Sequence, residues 1–110
     1  MKFPKHLLRE LIGEKFEIVP GEGVPSDFCG SYETLVNDII DQGRWTVEYD
    51  FVFSFEKDMI KRNFRAPYRT GATECQDEMP WENEGEFVEA EEVEQYEVVT
   101  VGYRRKHNGA

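Results

Sequence analysis

The chain has few cysteines, few histidines and no long apolar run. Cys29 and Cys75 are its two cysteines, and neither has a second cysteine or a histidine at metal-ligand spacing. That leaves no disulfide framework and no zinc motif to organise the fold, so both are expected to be reduced, structural thiols. His6 and His107 stand near the two ends, with no serine, cysteine or aspartate spaced to suggest a catalytic triad, and are expected at the surface. No apolar stretch approaches the ~20 residues that a membrane-spanning helix needs. Met1 to Gly13 carries Lys2 and Lys5 but lacks a long apolar centre and a small-residue cleavage site, so it is not expected to be a secretion signal. Gly21-Glu22-Gly23 lacks the third glycine and the following lysine of a phosphate-binding loop.

The most informative absence is of positive charge. Residues 74 to 97 contain no lysine or arginine and 11 acids: Glu74, Asp77, Glu78, Glu82, Glu84, Glu86, Glu89, Glu91, Glu92, Glu94 and Glu97. The whole chain is −10, whereas the other 86 residues hold 12 acids and 13 bases. Just upstream, residues 59 to 73 carry Lys61, Arg62, Arg65 and Arg69 and no acid. Such polarity favours a positively charged partner over nucleic acid or an anionic membrane.

What is abundant is aromatic. Eight Phe, five Tyr and two Trp in 110 residues are too many for a disordered acidic chain. One domain over residues 1–106 is expected, with a frayed tail at 107–110. Phe3, Leu7, Leu8, Leu11 and Ile12 recur at helical spacing, with Pro4 suited to the first turn and Gly13 to the stop. Phe16 to Val19 suits a short strand, and Pro20 to Gly30 reads as a loop. Residues 31 to 41 fit either period; a strand from about Leu35 to Asp41, turning at Gln42-Gly43, is the preferred reading, and a helix is the close alternative. Trp45, Val47, Tyr49, Phe51, Phe53 and Phe55 alternate with smaller or polar residues, which predicts a long half-buried strand. A turn at Glu56-Lys57-Asp58 would lead into a second strand through Ile60, Phe64, Ala66, Tyr68 and Thr70. Pro67 cannot donate a ladder hydrogen bond, which predicts an edge or a bulge there. A last strand is expected over Gln95 to Arg105, with Val98-Val99 breaking its alternation. The expected class is α+β: a small antiparallel sheet of three to four strands, the N-terminal helix packed on its apolar face, and a short capped helix near 74–79. Thr73 and Gln76 form the capping box of that second helix, with Glu74, Asp77 and Glu78 in its first turns and Pro80 at its end.

No nucleophile, base and orienting group can be assembled, so no catalytic residue, cofactor or enzymatic activity is expected. No metal site is expected either, because the acids do not follow the alternate-position, central-glycine spacing of a calcium loop. Basic residues interleaved with Trp45, Tyr68 and Tyr103 fit edge strands with acidic cross-strand neighbours better than a nucleic-acid face. The block Thr70-Gly-Ala-Thr-Glu-Cys-Gln-Asp-Glu-Met-Pro-Trp-Glu82 places Met79 and Trp81 among carboxylates, as protein interfaces do.

Arg44-Trp45 opening a long strand, that block together with Tyr68-Arg69, and the acidic run into a valine-rich terminal strand resemble a group of short acidic proteins encoded by bacteriophages. The resemblance covers roughly residues 36 to 103, and Gly-Ala-Thr-Glu-x-Gln-Asp-Glu-x-Pro is its specific part. It implies a phage source and the host cytoplasm, and an accessory role towards host proteins, but no mechanism.

Three readings follow. The first is a non-enzymatic accessory protein that binds a basic host protein, for instance one built for nucleic acid, through Glu74, Asp77, Glu78, Trp81, Glu82, Glu84, Glu86 and Glu89. Carboxylates would stand in for phosphates, as in a DNA-mimic inhibitor. The second is a nucleotide binder using Arg62, Arg65 and Arg69 for phosphates and Tyr68 or Trp45 for the base. The third is a self-assembling phage component; oligomeric state is not legible in the residues.

Overall fold

The computed structural model describes residues 1–21, 23, 25–72, 78–96 and 102. Its elements are β1 (Lys2–Pro4), α1 (Lys5–Leu11), β2 (Lys15–Ile18), a 3-10 turn (Ser26–Phe28), β3 (Gly30–Gln42), β4 (Thr46–Lys57), β5 (Ile60–Arg65), β6 (Tyr68–Gly71), β7 (Phe87–Glu89) and β8 (Glu91–Val93). All pairings are antiparallel. One sheet of six strands runs β2-β3-β4-β5-β8, with β6 also on β4, and a second sheet is the ribbon β1-β7.

This overturns the α+β expectation. The described protein is mainly antiparallel sheet, with a single helix of seven residues. The strands that sequence reading missed, β1, β7 and β8, are only three residues long. Alternation over so few positions carries little signal. The helix is also shorter than its apolar spacing suggested. Phe3 and Pro4 belong to β1, where Phe3 pairs with Val88 and Pro4 with Phe87. Leu7, Leu8 and Leu11 are buried, but they share the cover of the sheet with Phe3, Val88, Ala90 and Trp81. The helix end is closed by Thr34, whose hydroxyl donates to the Leu11 carbonyl (2.6 Å) and accepts from the Gly13 amide (3.1 Å). Residues 74–77 of the expected capped helix, the expected terminal strand beyond Tyr96 apart from Gly102, and the 107–110 tail lie outside the described residues, as does Cys75. Glu78 and Met79 are not helical, and Gln95 and Tyr96 are not in a strand.

The ambiguous stretch resolves as β3, 13 residues of strand, and not as the alternative helix. Gly43 closes the turn into β4, its amide donating to the Thr46 carbonyl at 2.8 Å. Two register shifts, between Thr34 and Val36 and between Ile39 and Asp41, leave Leu35 and Ile40 as extra residues. These bulges mixed the periods in the sequence. At the start of β3, Gly30 is required by close approach: a Cβ there would meet the Glu56 carbonyl oxygen and lie 2.7 Å from Phe55 Cε1.

The long alternating strand is β4, and it is more buried than alternation implied. Phe51, Phe53 and Phe55 lie in the core, and Val52 and Ser54 on the reverse face are buried too. Its partner strand keeps one register from Lys57↔Ile60 to Thr46↔Gly71, so Pro67 divides β5 from β6 without a bulge. The ladder continues past it, since the Ala66 amide still donates to the Phe51 carbonyl at 2.9 Å. The β4–β5 turn is tighter than expected: Asp58 and Met59 alone form it, both at positive φ (53° and 67°). Two left-handed residues between paired strands make the turn whose twist suits a hairpin.

Phe3 is the centre of the core. Its ring meets Phe53 and Phe64 at 5.1 Å, Phe55 at 5.7 Å, Phe28 at 6.0 Å and Tyr32 at 6.3 Å, mostly edge-to-face. Tyr32 stacks on Phe55 at 4.6 Å and donates its hydroxyl to the Phe28 carbonyl at 2.7 Å. Burial, and then the neighbouring Cys29, push the Tyr32 hydroxyl well above the usual tyrosine pKa. Cys29 is buried, its thiol directed to the Pro25 carbonyl at 3.7 Å. Among the described residues, no helix is long and apolar enough to cross a membrane.

Two stability outcomes follow from this packing. Phe3→Ala should lower unfolding free energy by about 3–5 kcal/mol, read by urea titration, because the void lies among five rings that cannot collapse together. A loss under 1 kcal/mol would show that Phe3 is not the hub. Met59→Gly should raise stability by roughly 1 kcal/mol, because glycine carries no left-handed penalty at a fully solvated turn position. A lower melting temperature in that variant would contradict the turn geometry.

Candidate protein-binding surface

The acidic segment is not a solvated tether. From Glu78 to Val93 it is fastened to the rest of the fold at successive points. Glu78 Oε2 accepts from Arg69 Nε at 2.8 Å, and the Glu78 carbonyl accepts from the Gly71 amide at 3.2 Å. The Pro80 carbonyl accepts from Arg9 Nε at 2.8 Å. Trp81 enters the core and donates Nε1–H to the Pro67 carbonyl at 3.0 Å. The Glu84 carbonyl accepts from Lys5 Nζ at 2.9 Å, and the Glu86 carbonyl from the Lys5 amide at 2.8 Å. Then β7 pairs with β1 and β8 with β5.

Two local turns shape the loop, Glu82 N–H to the Met79 carbonyl (3.1 Å) and Glu84 N–H to the Trp81 carbonyl (3.0 Å). Trp81 itself sits at φ 55°, in the left-handed region. Its ring packs on Tyr68 at 5.1 Å and Phe51 at 5.8 Å, and that burial offsets a backbone strain of about 1–2 kcal/mol.

The sequence-predicted partner residues therefore divide. Trp81 is only 7% exposed and is a core residue, which removes it as a surface anchor. Its indole sits in the sheet's aromatic layer, a role that acidic neighbours in sequence concealed. Glu74 and Asp77 lie outside the described residues. Glu78 is engaged by Arg69, and Glu89 Oε1 lies 3.5 Å from the N-terminal ammonium. Glu82, Glu84 and Glu86 are exposed, and among the described residues no cation pairs with their carboxylates. Lys5 and Arg9, which reach this loop, are hydrogen-bonded to its main-chain carbonyls instead. Exposed apolar surface is supplied by Met79 and Phe87, which sequence reading gave to Trp81 and Met79. A cleft of about 260 Å³ opens between the loop and Pro67–Arg69, with Met79 on its wall and Glu82 and Glu84 at its rim.

The alternative arginine site does not converge. Arg62 pairs across from Phe55, on the core face of the sheet, whereas Arg65 and Arg69 sit opposite Val52 and Glu48 on the reverse face. Each is already engaged: Arg62 with Glu92 (2.9 Å), Arg65 with Asp50 (3.0 Å) and Arg69 with Glu78 (2.8 Å). Tyr68 is buried, stacks on Tyr49 at 4.9 Å and donates to Asn37 Oδ1 at 2.6 Å, so its face is not open to a base. Burial raises its pKa, with Tyr49 adding to the effect and the Asn37 hydrogen bond opposing it. Trp45 is exposed at the β3–β4 turn, but Arg44 covers its ring at 4.8 Å. Among the described residues, no group of three or more His, Cys, Asp or Glu side chains could hold a metal ion.

No family model, curated protein or solved structure matches the chain.

The Arg62–Glu92 pair gives a pH signature. Hydrogen bonding from Arg62 is the main cause that holds the Glu92 carboxyl below the usual carboxylate range. A depressed folded-state pKa contributes stability that is present above the ordinary glutamate value and lost as pH falls through the folded one. Arg62→Ala should move the Glu92 pKa upward toward its ordinary value in an NMR titration of carboxyl carbons. An unmoved pKa would show that the pair is not held in solution.

Proposed function

We propose that this protein is a non-catalytic binding module, and that its acidic loop from Glu82 to Glu86 engages a cationic surface of a partner protein. The observation that carries the reading is the unneutralised charge of Glu82, Glu84 and Glu86 on a backbone held by Lys5, Arg9 and Trp81. Carboxylates on a fixed backbone lose little freedom when they meet a cation, so their attraction is not spent on ordering the loop. The cleft beside Met79 has room for one lysine or arginine side chain, with its alkyl stem on Met79 and its head between Glu82 and Glu84. Association of this kind is fast and weakens with salt.

The phage resemblance of residues 36 to 103 agrees with an accessory protein that acts in the host cytoplasm on a basic, nucleic-acid-handling protein. The reading of the loop as a phosphate-like array, a DNA mimic, is one form of the same proposal. The nucleotide reading has lost its geometric basis, since its arginines stand on two faces.

The test compares wild type with Glu82→Gln/Glu84→Gln/Glu86→Gln in co-purification from host extract at about 50 mM salt. All three side chains are exposed, so the fold should be retained. The wild type should recover a basic protein that elutes below about 0.5 M salt, and the triple variant should bind that protein about 10–100-fold more weakly. Equal binding by the triple variant would refute the loop as the contact.

A further inference from the structure

A second surface stands apart from the loop. β2 covers the outer edge of β3 only from Gly30 to Glu33, and the Thr34 amide donates to the Glu14 carbonyl at 3.0 Å. From Leu35 to Gln42, β3 is paired with β4 on its inner side, and among the described residues nothing pairs with its outer side. Eight residues of strand thus present a free edge. Its side chains are unusually apolar for an exposed edge: Leu35 is 43% exposed, Ile39 56% and Ile40 59%.

The charge on this edge is of one sign, and the pairing makes it costly. Asp38 lies directly opposite Asp50, and Asp41 opposite Glu48. Like charges across an antiparallel pair repel. Arg65 relieves Asp50, but Arg69, the cross-strand neighbour of Glu48, is turned to Glu78. Among the described residues Asp38, Asp41 and Glu48 have no counter-ion. The two faces of the edge differ. Asp38 and Asp41 lie on the face of Glu48 and Asp50, whereas Ile39 lies on the face of Tyr49.

We propose that the β3 edge from Leu35 to Gln42 receives an extended segment of a partner protein as an added strand, with lysine or arginine alternating with aliphatic residues. Main-chain hydrogen bonds to the free edge supply the pairing. The alternation follows from the two faces: bases meet Asp38 and Asp41, and aliphatic side chains meet Ile39. A second copy of the chain fits poorly, because antiparallel pairing of two such edges would bring the aspartates of both against each other. The bulges at Leu35 and Ile40 further oppose flat self-pairing. This proposal does not rest on the acidic loop.

The test uses the full chain and a defined probe, a ten-residue peptide alternating lysine with valine, capped at both ends. Binding is measured by calorimetry, and amide exchange of residues 36–42 by NMR. The expected result is at least tenfold slower exchange of the outward-facing amides when the peptide is bound. The same peptide N-methylated at alternate residues should bind at least tenfold more weakly, since it keeps the charge but cannot complete a ladder. Asp38→Asn/Asp41→Asn should weaken the unmodified peptide about tenfold while melting no lower than wild type. The amide readout separates this surface from the loop, since a peptide held only by the loop carboxylates would leave exchange at residues 36–42 unchanged. Equal binding of the N-methylated peptide would reduce the effect to charge and overturn the proposal. Protection of the outward-facing amides of residues 36–42 in the free protein would also overturn it: if independent of concentration, the chain's own residues hold the edge; if rising with concentration, a second copy does.

Discussion

The burial of one ring, Phe3, holds the two sheets together. A three-residue ribbon such as β1-β7 has no stability of its own in water. It persists because Phe3 points from it into five aromatic neighbours that belong to the large sheet and to the turn before β3. Removing a phenylalanine side chain from water is worth about 2–3 kcal/mol, and edge-to-face contacts add to that. The consequence reaches well beyond the N-terminus. β7 is part of the acidic segment, so the same ring that fixes β1 also fixes Phe87 to Glu89 and, through Ala90, the path into β8. The chain's negative charge is mounted on the hydrophobic core.

That mounting explains how so much like charge can be tolerated. Self-repulsion destabilises a compact state only as far as the unfolded state relieves it. Here the attachments are made by backbone groups and by Trp81, none of which weakens when the carboxylates repel. Where carboxylates do meet cations, the pairs are at the sheet: Arg65 with Asp50, Arg62 with Glu92, and Arg69 with Glu78. All three are partly solvated, and surface pairs of this kind each contribute ~0–1 kcal/mol. They position strands more than they stabilise them. Lys5 and Arg9 have the opposite use, holding carbonyls of the loop while its side chains stay free.

What could be read from the residues, and what could not, follows the length of each element. The period-two run from Trp45 to Phe55 announces β4 without ambiguity, because eleven residues repeat one pattern. Pro67 announces the break between β5 and β6, though not that the register survives it. The aromatic content foretells a folded core, but which ring is its hub depends on a ribbon three residues long. The segment Glu86-Phe-Val-Glu-Ala-Glu91 reads as solvated because acids make up half of it, yet Val88 and Ala90 are buried in it. Trp81 is the same error. Its polar neighbours suggested an exposed anchor, and only the hydrogen bond to Pro67, 14 residues back, shows otherwise. Of the candidate surface, the charge was legible in full; its rigidity was not, because that rests on long-range contacts to Lys5, Arg9 and Pro67.

The two surfaces also differ in the physics by which they would hold anything. The loop offers mainly charge, with Met79 beside it, on a fixed frame, and charge acts at a distance that salt shortens to about 8 Å in a cell. Its strength lies in the rate of encounter. The β3 edge offers unpaired main-chain groups beside three exposed aliphatic side chains, with Asp38 and Asp41 alongside. Its strength lies in slow release, since a ladder breaks only when several hydrogen bonds open together, and salt screens those bonds little. The repulsion already present across Asp38–Asp50 and Asp41–Glu48 makes the free edge the less contented of the two. An incoming cation there would relieve an existing cost as well as gain an attraction, whereas at Glu82 to Glu86 it would gain the attraction alone.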